Sequence, residues 1–542
     1  MPHDALIASL LAGPAFTWNG GDGTPVLLSF SFARDGLNTG TGAPAGWAAF
    51  SAAQMAATRE ALAAWGATTG LRFAEVPDTS GGAGIDLRFR LEMLEPWYSN
   101  GQAVLAPGGD IALNLRLFGS DSLAAGRLGH EALLHEIGHA LGLKHSFEGP
   151  GALPPELDSR DTTIMSYTRG TGGVASAPRP LDLAAVQALY GTAGEAPEAQ
   201  VAWDGMLGRL RLTALAPAQT LRGTELPDLL QGLGGDTLLG RGGDDWLHPA
   251  PESLARPGLV DGGSGFDTLF IDLPAEGLSL AMTGPGQGRI GQLDFTAVEA
   301  LRFLDGYLAM DAADPVADIA RMARLATGQR PGPLLLGQLA AAADAAQAVL
   351  ALPEQLWPGA DDHAFVEQLY QDALGRAPEP AGLAHWLAVL SGNGGRTAAL
   401  AGIAGSAEAR GHDDLPATGL WAAEPAAATV QQLYHAILGR QAEPAGLSAT
   451  MAALQAGATR AELAWNMLHS PEFATLQGDG ELIETLYQAA LHRAPEPEGE
   501  ALWAALLSQG LLDPSGLALA IADSAEYAAL HANAGQPFIL AP

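Results

Sequence analysis

The sequence predicts a multidomain protein in which an α/β domain is followed by a parallel β-roll and an all-α helical repeat region. Three observations support this prediction. Strand-like and helix-like segments surround a histidine-rich motif in residues 1–195, Gly- and Asp-rich nonapeptides recur within residues 196–312, and a helical repeat recurs within residues 313–542. These three ranges are the predicted domains.

Composition limits the class of protein and its partners. The 542 residues carry a formal net charge of −33, 48% hydrophobic residues and no cysteine. The hydrophobic content suffices for packed cores, and the acidic charge disfavours nucleic acid as a partner. No apolar stretch is long enough to span a bilayer, so we expect no transmembrane segment. The apolar run at residues 5–15 follows no Lys or Arg, which disfavours a cleaved signal peptide.

The first domain is predicted to alternate strands with helices. Ser51 is a suitable N-cap for a helix that runs to about Thr68, because its side chain can accept a hydrogen bond from a free backbone amide. The sequence Gly108-Gly109-Asp110 favours the turn of a hairpin. The strand candidates are residues 26–32, 71–76, 85–91, 102–107 and 111–117.

The motif that organises this domain contains three histidines and a glutamate. His135 and His139 are one helical turn apart and project from the same face, so their imidazoles can bind one zinc ion. Glu136 suits a general base for a water on that metal. Gly142 can end the helix in a left-handed turn that brings His145 to the zinc, leaving a fourth position open for water. The alternative interpretation is an amphipathic helix with surface histidines.

This extended motif, H-E-x-x-H-x-x-G-x-x-H, resembles the signature of the metzincin zinc endopeptidases. Residues 163–167, Thr-Ile-Met-Ser-Tyr, look like the Met-turn of that family. The Met-x-Tyr form narrows the resemblance to serralysins and astacins, and residues 180–191 are similar to the helix that closes serralysin catalytic domains. Ser146 stands where the family has a proline after the third histidine.

The resemblance implies a metzincin catalytic domain and roles for further residues. Met165 would pack beneath the metal, and Tyr167 would ligate zinc at rest and stabilise the oxyanion during catalysis. Residues 102–105 would form the open sheet edge along which substrate lies as an added strand. His130 would point away from the zinc and be structural, since it lies five residues before His135.

A second motif is rich in glycine and aspartate. Residues 262–270 read Gly-Gly-Ser-Gly-Phe-Asp-Thr-Leu-Phe, and degenerate copies occupy residues 223–230, 232–239 and 240–247. They match the RTX nonapeptide G-G-x-G-x-D-x-U-x, whose turns bind calcium along a parallel β-roll. A plain Gly-rich linker is the alternative. The predicted ligands of a few calcium ions are Asp228, Asp236, Asp244, Asp245, Gly262, Gly263, Gly265 and Asp267.

The third region contains a helical repeat. Copies at residues 363–410, 430–475 and 482–530 share a Leu-Tyr pair, an Arg-x-x-Glu-Pro segment and a final Ser-x-Glu, and a degraded fourth copy is suggested near residues 322–333. The Arg-x-x-Glu spacing predicts a local ion pair, and the aromatic residues predict a helical core. The repeats resemble a small helical domain of unknown function found in bacterial secreted and surface proteins. A sugar-binding aromatic platform is the alternative role for these aromatics.

Together the motifs predict a secreted zinc endopeptidase of serralysin type, stabilised by calcium, that hydrolyses protein or peptide substrates. It would hold one catalytic zinc and a few calcium ions in the β-roll. The resemblance implies export by a type I apparatus, and the helical repeats would attach the protein to the cell surface or S-layer. The alternative is a surface or S-layer-associated structural or binding protein with a vestigial peptidase domain.

Overall fold

The computed structural model describes residues 3–34, 46–96, 99–149, 151–352, 361–392, 395–412, 415–478, 480–531 and 538–540. The chain divides into two compact units, residues 1–249 with 259–267 and residues 250–258 with 268–542. Within the described residues, no helix combines the length and the apolar character that crossing a membrane requires.

The first unit begins with an α/β layer and continues as a series of short strands. Its helices are α1 His3–Leu10, α2 Ala52–Gly66, α3 Leu115–Phe118, α4 Leu128–Ala140 and α5 Pro180–Tyr190. Its strands are β1 Val26–Phe32, β2 Trp47–Ala48, β3 Leu71–Glu75, β4 Leu87–Glu92, β5 Gly101–Ala103, β6 Asp110–Asn114, β7 Ala199–Asp204, β8 Arg209–Ala214, β9 Thr220–Arg222, β10 Asp228–Gln231, β11 Thr237–Gly242, β12 Trp246–His248 and β13 Gly258–Ser264.

The first sheet has the strand order β3-β1-β4-β6-β5, with β2 paired to β4. Strands β3, β1, β4 and β6 are mutually parallel, whereas β5 is antiparallel to β6 and ends the sheet. The prediction of an edge strand near residues 102–105 is therefore confirmed. The strand is shorter than expected and comprises Gly101–Ala103.

Other predicted elements agree with the structure within a few residues. Ser51 caps α2 in a capping box with Gln54, because each side chain accepts from the other's backbone amide. The strand expected at residues 111–117 ends at Asn114, whose side chain caps α3 by accepting from Arg116 N at 3.0 Å. Local capping thus ends a strand that hydrophobic pattern alone would have extended.

The core of this layer lies between the sheet and helices α2, α4 and α5. It includes the fully or almost fully buried side chains of Trp65, Phe89, Leu133 and Val186, one from each element. This packing fixes the position of α4, the helix that carries the histidine motif, against the sheet.

The Gly- and Asp-rich region of the first unit forms parallel strands. Strand β10 pairs in parallel with β8 and β12, and β11 pairs in parallel with β9 and β13. Successive strands therefore alternate between two open sheets, and the plain-linker alternative is wrong. A roll that closes around calcium stays a prediction.

The second unit contains further strands and then mostly helices. Its strands are β14 Thr268–Phe270, β15 Leu278–Gly284, β16 Gln287–Ile290, β17 Leu293–Thr296, β18 Ala300–Phe303, β19 Gly306–Ala309, β20 Leu420–Ala423 and β21 Phe538–Leu540. Its helices are α6 Pro315–Thr327, α7 Pro333–Ala340, α8 Ala345–Leu350, α9 Asp362–Leu374, α10 Pro380–Ser391, α11 Gly395–Ala404, α12 Ala407–Gly411, α13 Pro425–Leu433, α14 Pro444–Gln455, α15 Arg460–Leu468, α16 Pro471–Gln477, α17 Leu482–Leu491, α18 Pro497–Ser508, α19 Pro514–Ala522 and α20 Ala525–Leu530.

Each helical repeat opens with the same local geometry. A helix ends in a residue with left-handed backbone, and the next helix begins at a proline, whose fixed φ suits a first helical position. The left-handed residues are Gly375, Gly439 and His492 in the three clear copies. Gly328 ends α6 in the same way before Pro333 begins α7, so the degraded fourth copy shares this geometry.

The predicted Arg-x-x-Glu ion pairs are present in all three clear copies. Arg376 contacts Glu379 at 2.7 Å, and the corresponding distances for Arg440 and Arg493 are 2.7 and 2.9 Å. Each arginine also pairs with the glutamate of the Ser-x-Glu segment and covers the tyrosine of its own copy. Those tyrosines are buried, which supports the core interpretation over a sugar platform.

The left-handed position in the third copy generates a prediction. His492 has φ 55°, where the other copies place glycine at 66° and 65°. His492→Gly should stabilise the second unit by roughly 1 kcal/mol, because glycine adopts this conformation without steric cost. Urea unfolding followed by circular dichroism measures the change.

The matched control is His469→Gly. His469 also ends a helix but has an ordinary φ of −99°, so its replacement should not stabilise the protein. Equal effects of the two substitutions would contradict the backbone explanation.

Candidate metal centre

Helix α4 brings two of the three predicted histidine ligands together. His135 and His139 project from one face of the helix, and their Nε2 atoms are 3.1 Å apart. The chain then turns at Gly142, which has φ 97° as predicted, and His145 Nε2 reaches 3.1 Å from His139 Nε2. Within the described parts of the chain, these histidines are the one group of three potential metal ligands whose donor atoms lie within 4.8 Å of one another. We call them the histidine triad.

Each imidazole of the triad is oriented through its other nitrogen. His135 Nδ1 lies 2.7 Å from Ile164 O, and His139 Nδ1 lies 2.9 Å from Leu143 O. His145 Nδ1 contacts Glu148 Oε1 at 2.6 Å. Because carbonyl and carboxylate oxygens only accept, each Nδ1 carries the proton and each Nε2 lone pair is free to face a cation.

Burial keeps two imidazoles of the triad in the neutral form that metal binding needs. It lowers the pKa of His135 to about 3, with a further contribution from the neighbouring His139, and it lowers the pKa of His139 to about 4. The hydrogen bond from His145 lowers the pKa of Glu148, so that this acceptor is ionised. The donor set is thus three imidazoles, two of them held neutral by burial and the third backed by a carboxylate.

Glu136 lies beside the triad and against the edge strand. The side chain is buried, and burial raises its pKa to about 8. A Cβ built on Gly101 of β5 would lie 2.6–2.8 Å from the Glu136 side chain, so only glycine leaves room for the carboxylate. Sequence reasoning missed Gly101, although a glycine bordering the predicted edge strand was a signal for such a close approach.

The Met-turn segment passes beneath the helix at short range. Met165 is fully buried, and its Sδ would lie 2.7 Å from a Cβ on Gly138. The carboxylate of Asp182, in the first turn of α5, accepts from Thr163 Oγ1 and from Ile164 N, the latter at 3.1 Å. Asp182 was not predicted. It fixes the carbonyl of Ile164 that orients His135.

Tyr167 and Phe147 lie over the triad on the solvent side. The Tyr167 ring centroid is 4.6 Å from that of His145 and 5.8 Å from that of His135, and the residue is 60% exposed. The Phe147 ring stacks on His145 at 5.1 Å with an interplanar angle of 6°.

Ser146, at the position of the expected proline, is buried and donates from Oγ to Asp158 at 2.5 Å. Hydrogen bonding replaces proline rigidity in this turn.

A cleft of about 400 Å³ opens beside the triad, and we call it the triad cleft. One wall is the segment that leads into β5, and the opposite wall is α4 with the Met-turn. Its lining residues are Pro96, Ser99, Asn100, Gly101, Leu128, Glu131, Ala132, His135, Glu136, Arg160, Ile164 and Tyr167.

His130 lies away from the triad, as its position on the helix predicts. It is buried, with Nδ1 2.9 Å from Leu123 O and Nε2 3.2 Å from Ser176 O. Both ring nitrogens face backbone carbonyls, so His130 is a structural residue that joins α4 to two loops.

The predicted calcium ligands fall into two groups. Asp228, Asp245 and Asp267 stack in register, since Asp228 N donates to Asp245 Oδ1 and Asp245 N donates to Asp267 Oδ1, each at 2.8 Å. Asp236 lies apart and accepts from Gln219 N at 2.7 Å. Asp244 is exposed, and its Oδ1 accepts from a backbone amide of the next turn.

Two predicted calcium-turn glycines, Gly263 and Gly265, and also Gly240 allow the turns to approach closely. A Cβ on Gly263 or Gly265 would overlap a carbonyl of the preceding turn, and the carbonyl of Gly262 would be overlapped by a Cβ on Gly240. Burial raises the pKa of Asp228 to about 8 and that of Asp245 to about 9, the latter also because of the Asp228 charge. Asp245 Oδ2 is buried without a hydrogen-bond partner.

The chain is similar to two groups of known sequences. A family described as a domain of unknown function (DUF4214) matches residues 354–412, 425–477 and 478–531, in agreement with the three predicted repeats. Serralysin A of Dickeya chrysanthemi is 32% identical over 193 residues, covering 32% of this chain and 41% of that protein. Serralysin B of the same organism is 30% identical over 215 residues, covering 35% and 44%. The chain thus spans about two fifths of the length of the curated relatives it matches. This serralysin-like relationship covers about a third of the chain's own length.

The orientation of His145 generates a prediction. Glu148→Ala removes the carboxylate that accepts from Nδ1, so zinc affinity should fall by about tenfold or more. Competition with a chromogenic chelator measures the dissociation constant. Glu156→Ala, an exposed glutamate on the same loop, is the matched control and should bind like the parent. Unchanged affinity in Glu148→Ala would contradict the assigned role.

Proposed function

We propose that this protein is a zinc-dependent endopeptidase of serralysin type that hydrolyses peptide bonds in proteins. One observation carries the proposal. Three imidazole Nε2 atoms converge beside a buried glutamate, next to an open sheet edge. The similarity to serralysins over about a third of the chain supports the same conclusion.

The residues of the triad fit zinc. Their imidazoles, with each Nδ1 facing an acceptor, form the kind of three-histidine set that holds a catalytic zinc. Among the described residues, no fourth His, Cys, Asp or Glu donor lies in this 4.8 Å group, which leaves a position for water or a substrate carbonyl. When bound there, zinc acidifies water and polarises a carbonyl group.

The edge strand would bind the substrate backbone. Strand β5 is paired with β6 on one side and ends the sheet on the other, and its first residue, Gly101, lines the triad cleft. An extended peptide added there would place its carbonyl beside the histidines. This arrangement favours internal segments of a chain, as in an endopeptidase.

Glu136 would transfer protons, and Tyr167 would stabilise the developing negative charge. Glu136 would take a proton from the attacking water and pass it to the leaving amine, and its carboxylate would be ionised despite its burial when the triad holds a dication. The Tyr167 hydroxyl donates a hydrogen bond to the oxygen on which negative charge develops. Burial and the Glu136 charge raise the pKa of Tyr167, which keeps its proton available for donation.

The roles of these groups can be separated by mutation. Glu136→Gln should lower casein hydrolysis by orders of magnitude with zinc still bound, because the shape stays and the base is lost. Tyr167→Phe should lower turnover less severely. His139→Ala should lose both activity and zinc. Metal analysis with peptidase assays distinguishes the three. Parental activity in Glu136→Gln would contradict the role of Glu136 as base, whereas a zinc-loaded parent without activity would favour the vestigial-peptidase alternative.

We also propose that the Gly- and Asp-rich turns of the first unit bind calcium. The orphaned Asp245 Oδ2 fits this cation, since a buried carboxylate oxygen without a donor is a hard ligand. Asp228 and Asp267 would contribute carboxylates in the adjacent layers, and the turns around Gly223 and Gly240 would contribute carbonyls. Calcium at extracellular levels would then stabilise a secreted protein by mass action.

Export by a type I route and attachment to the cell surface belong to the same proposal. Folding that waits for extracellular calcium suits passage through a one-step apparatus, and the DUF4214 repeats supply a separate helical region for a surface partner. Secretion after deletion of the C-terminal residues 538–542, and cell fractionation after deletion of the repeats, test these two parts independently.

The raised aspartate pKa values generate a pH prediction. An acid whose folded pKa is raised favours folding only while protonated, so calcium-free stability should fall as pH rises from about 4 towards 8–9. Calcium competes with those protons, and its stabilising effect should therefore grow over the same range. Calorimetry with and without calcium at several pH values measures both trends.

Asp245→Asn isolates the group responsible. It should flatten the pH dependence and shrink the calcium effect, whereas Asp272→Asn, an exposed control, should change neither. A calcium effect of equal size at pH 5 and pH 9 would count against calcium binding by these carboxylates.

A further inference from the structure

An arginine and a glutamate line the triad cleft away from the histidines. Arg160 Nη1 contacts Glu131 Oε1 at 2.6 Å, and the two side chains are 27% and 7% exposed. Neither residue belongs to the metal site or the proton-transfer groups. Glu131 comes from α4, one turn before His135, and Arg160 comes from the loop before the Met-turn.

The guanidinium of Arg160 is held in place from several sides. Nε donates to Ser166 O at 3.2 Å, and the Arg160 carbonyl accepts from Arg179 Nε at 2.9 Å. Glu131 is fixed in turn, because its Oε2 accepts from Ala175 N at 2.6 Å. Hydrogen bonds therefore hold both residues of the pair in a defined position in the cleft wall.

The guanidinium of Arg160 has N–H donors beyond those used in these hydrogen bonds. A guanidinium carries five N–H groups, and its side-chain hydrogen bonds within the described residues use two of them, to Glu131 and Ser166. Glu131 already accepts from Arg160 and from Ala175 N. A ligand that enters the cleft thus meets N–H donors that need an acceptor, beside a carboxylate that already has partners.

The cleft also has apolar lining residues. Leu128 is 63% exposed, and Ala132 and Ile164 line the cleft with it. These groups suit the methylene stem of a side chain, and about 400 Å³ is ample for a residue of medium length. A stem that crosses this surface would place its tip at Arg160.

We infer that Arg160 makes the triad cleft select substrates in which a residue flanking the scissile bond has a side chain ending in a hydrogen-bond acceptor, namely glutamine or glutamate. The inference rests on the proposed peptidase function. Because Glu131 balances the guanidinium charge, selection works through hydrogen bonding and treats the two residues nearly alike. A side chain without an acceptor, such as methionine, leaves the donors unpaired and is disfavoured by roughly tenfold.

The test uses the full-length, zinc- and calcium-loaded protein and a peptide library varied at both residues flanking the scissile bond. The parent should cleave glutamine and glutamate peptides roughly tenfold better, in kcat/KM, than methionine or leucine peptides. Arg160→Met, which keeps the length and removes the donors, should abolish that ratio. Arg169→Met, an exposed arginine on the same loop outside the cleft, should keep the parental profile.

A second variant tests the role of the charge balance and covers the possibility that Arg160→Met fails to fold. Glu131→Gln keeps the shape and the acceptor for Ala175 N but leaves the guanidinium charge unbalanced. It should raise the preference for glutamate over glutamine severalfold. That effect should weaken in high salt, since it is electrostatic.

The outcomes separate this inference from the proposed function. Hydrolysis with no preference for an acceptor in the parent, an unchanged profile in Arg160→Met, or an unchanged glutamate-to-glutamine ratio in Glu131→Gln would overturn the inference while leaving a peptidase. Zinc-loaded protein that cleaves no library peptide would overturn the proposed function and the inference together.

Discussion

The hydrogen bonds of the three histidine Nδ1 atoms are the interactions on which the rest of the site depends. Each points an Nε2 lone pair at a common position, and each acceptor comes from a different part of the chain: Ile164 O, Leu143 O and the Glu148 carboxylate. Burial of His135 and His139 keeps those imidazoles neutral. If an acceptor moved, a ring would be free to rotate or change tautomer, and the donors would no longer converge.

Close approach of backbone segments is the second constraint, and glycine makes it possible. Gly138 lets Met165 pack against α4, Gly101 lets the edge strand pass beside Glu136, and Gly142 turns the chain towards His145. A Cβ at any of these positions would push apart elements that must touch. Glu136, strand β5 and the histidine triad are therefore near one another because three side chains are absent.

The same balance of burial and charge governs the Gly- and Asp-rich turns. The backbone amide of Asp228 donates to one oxygen of Asp245, while burial raises the pKa of Asp245 and leaves its other oxygen without a donor. Burial destabilises the ionised form of such carboxylates, and binding a proton or a cation offsets this destabilisation. In the triad burial keeps His135 and His139 neutral, whereas in these turns the buried groups are carboxylates that a proton or a cation would stabilise.

Residues close together in the chain allowed much of this protein to be predicted. The helical spacing of His135 and His139, the turn at Gly142, the Ser51 cap and the Arg-x-x-Glu pairs are short-range features, because backbone geometry relates residues three or four apart. Glu148, Gly101, Asp182 and the Arg160–Glu131 pair escaped prediction, although every one of them contacts the site. Most of these contacts join segments far apart in sequence, and Glu148 depends on how the turn after His145 folds. Short-range sequence pattern accounts for the histidines and the glutamate at the site. The groups that orient them could not be predicted in this way, because their positions depend on how α4, β5 and residues 163–167 pack against one another.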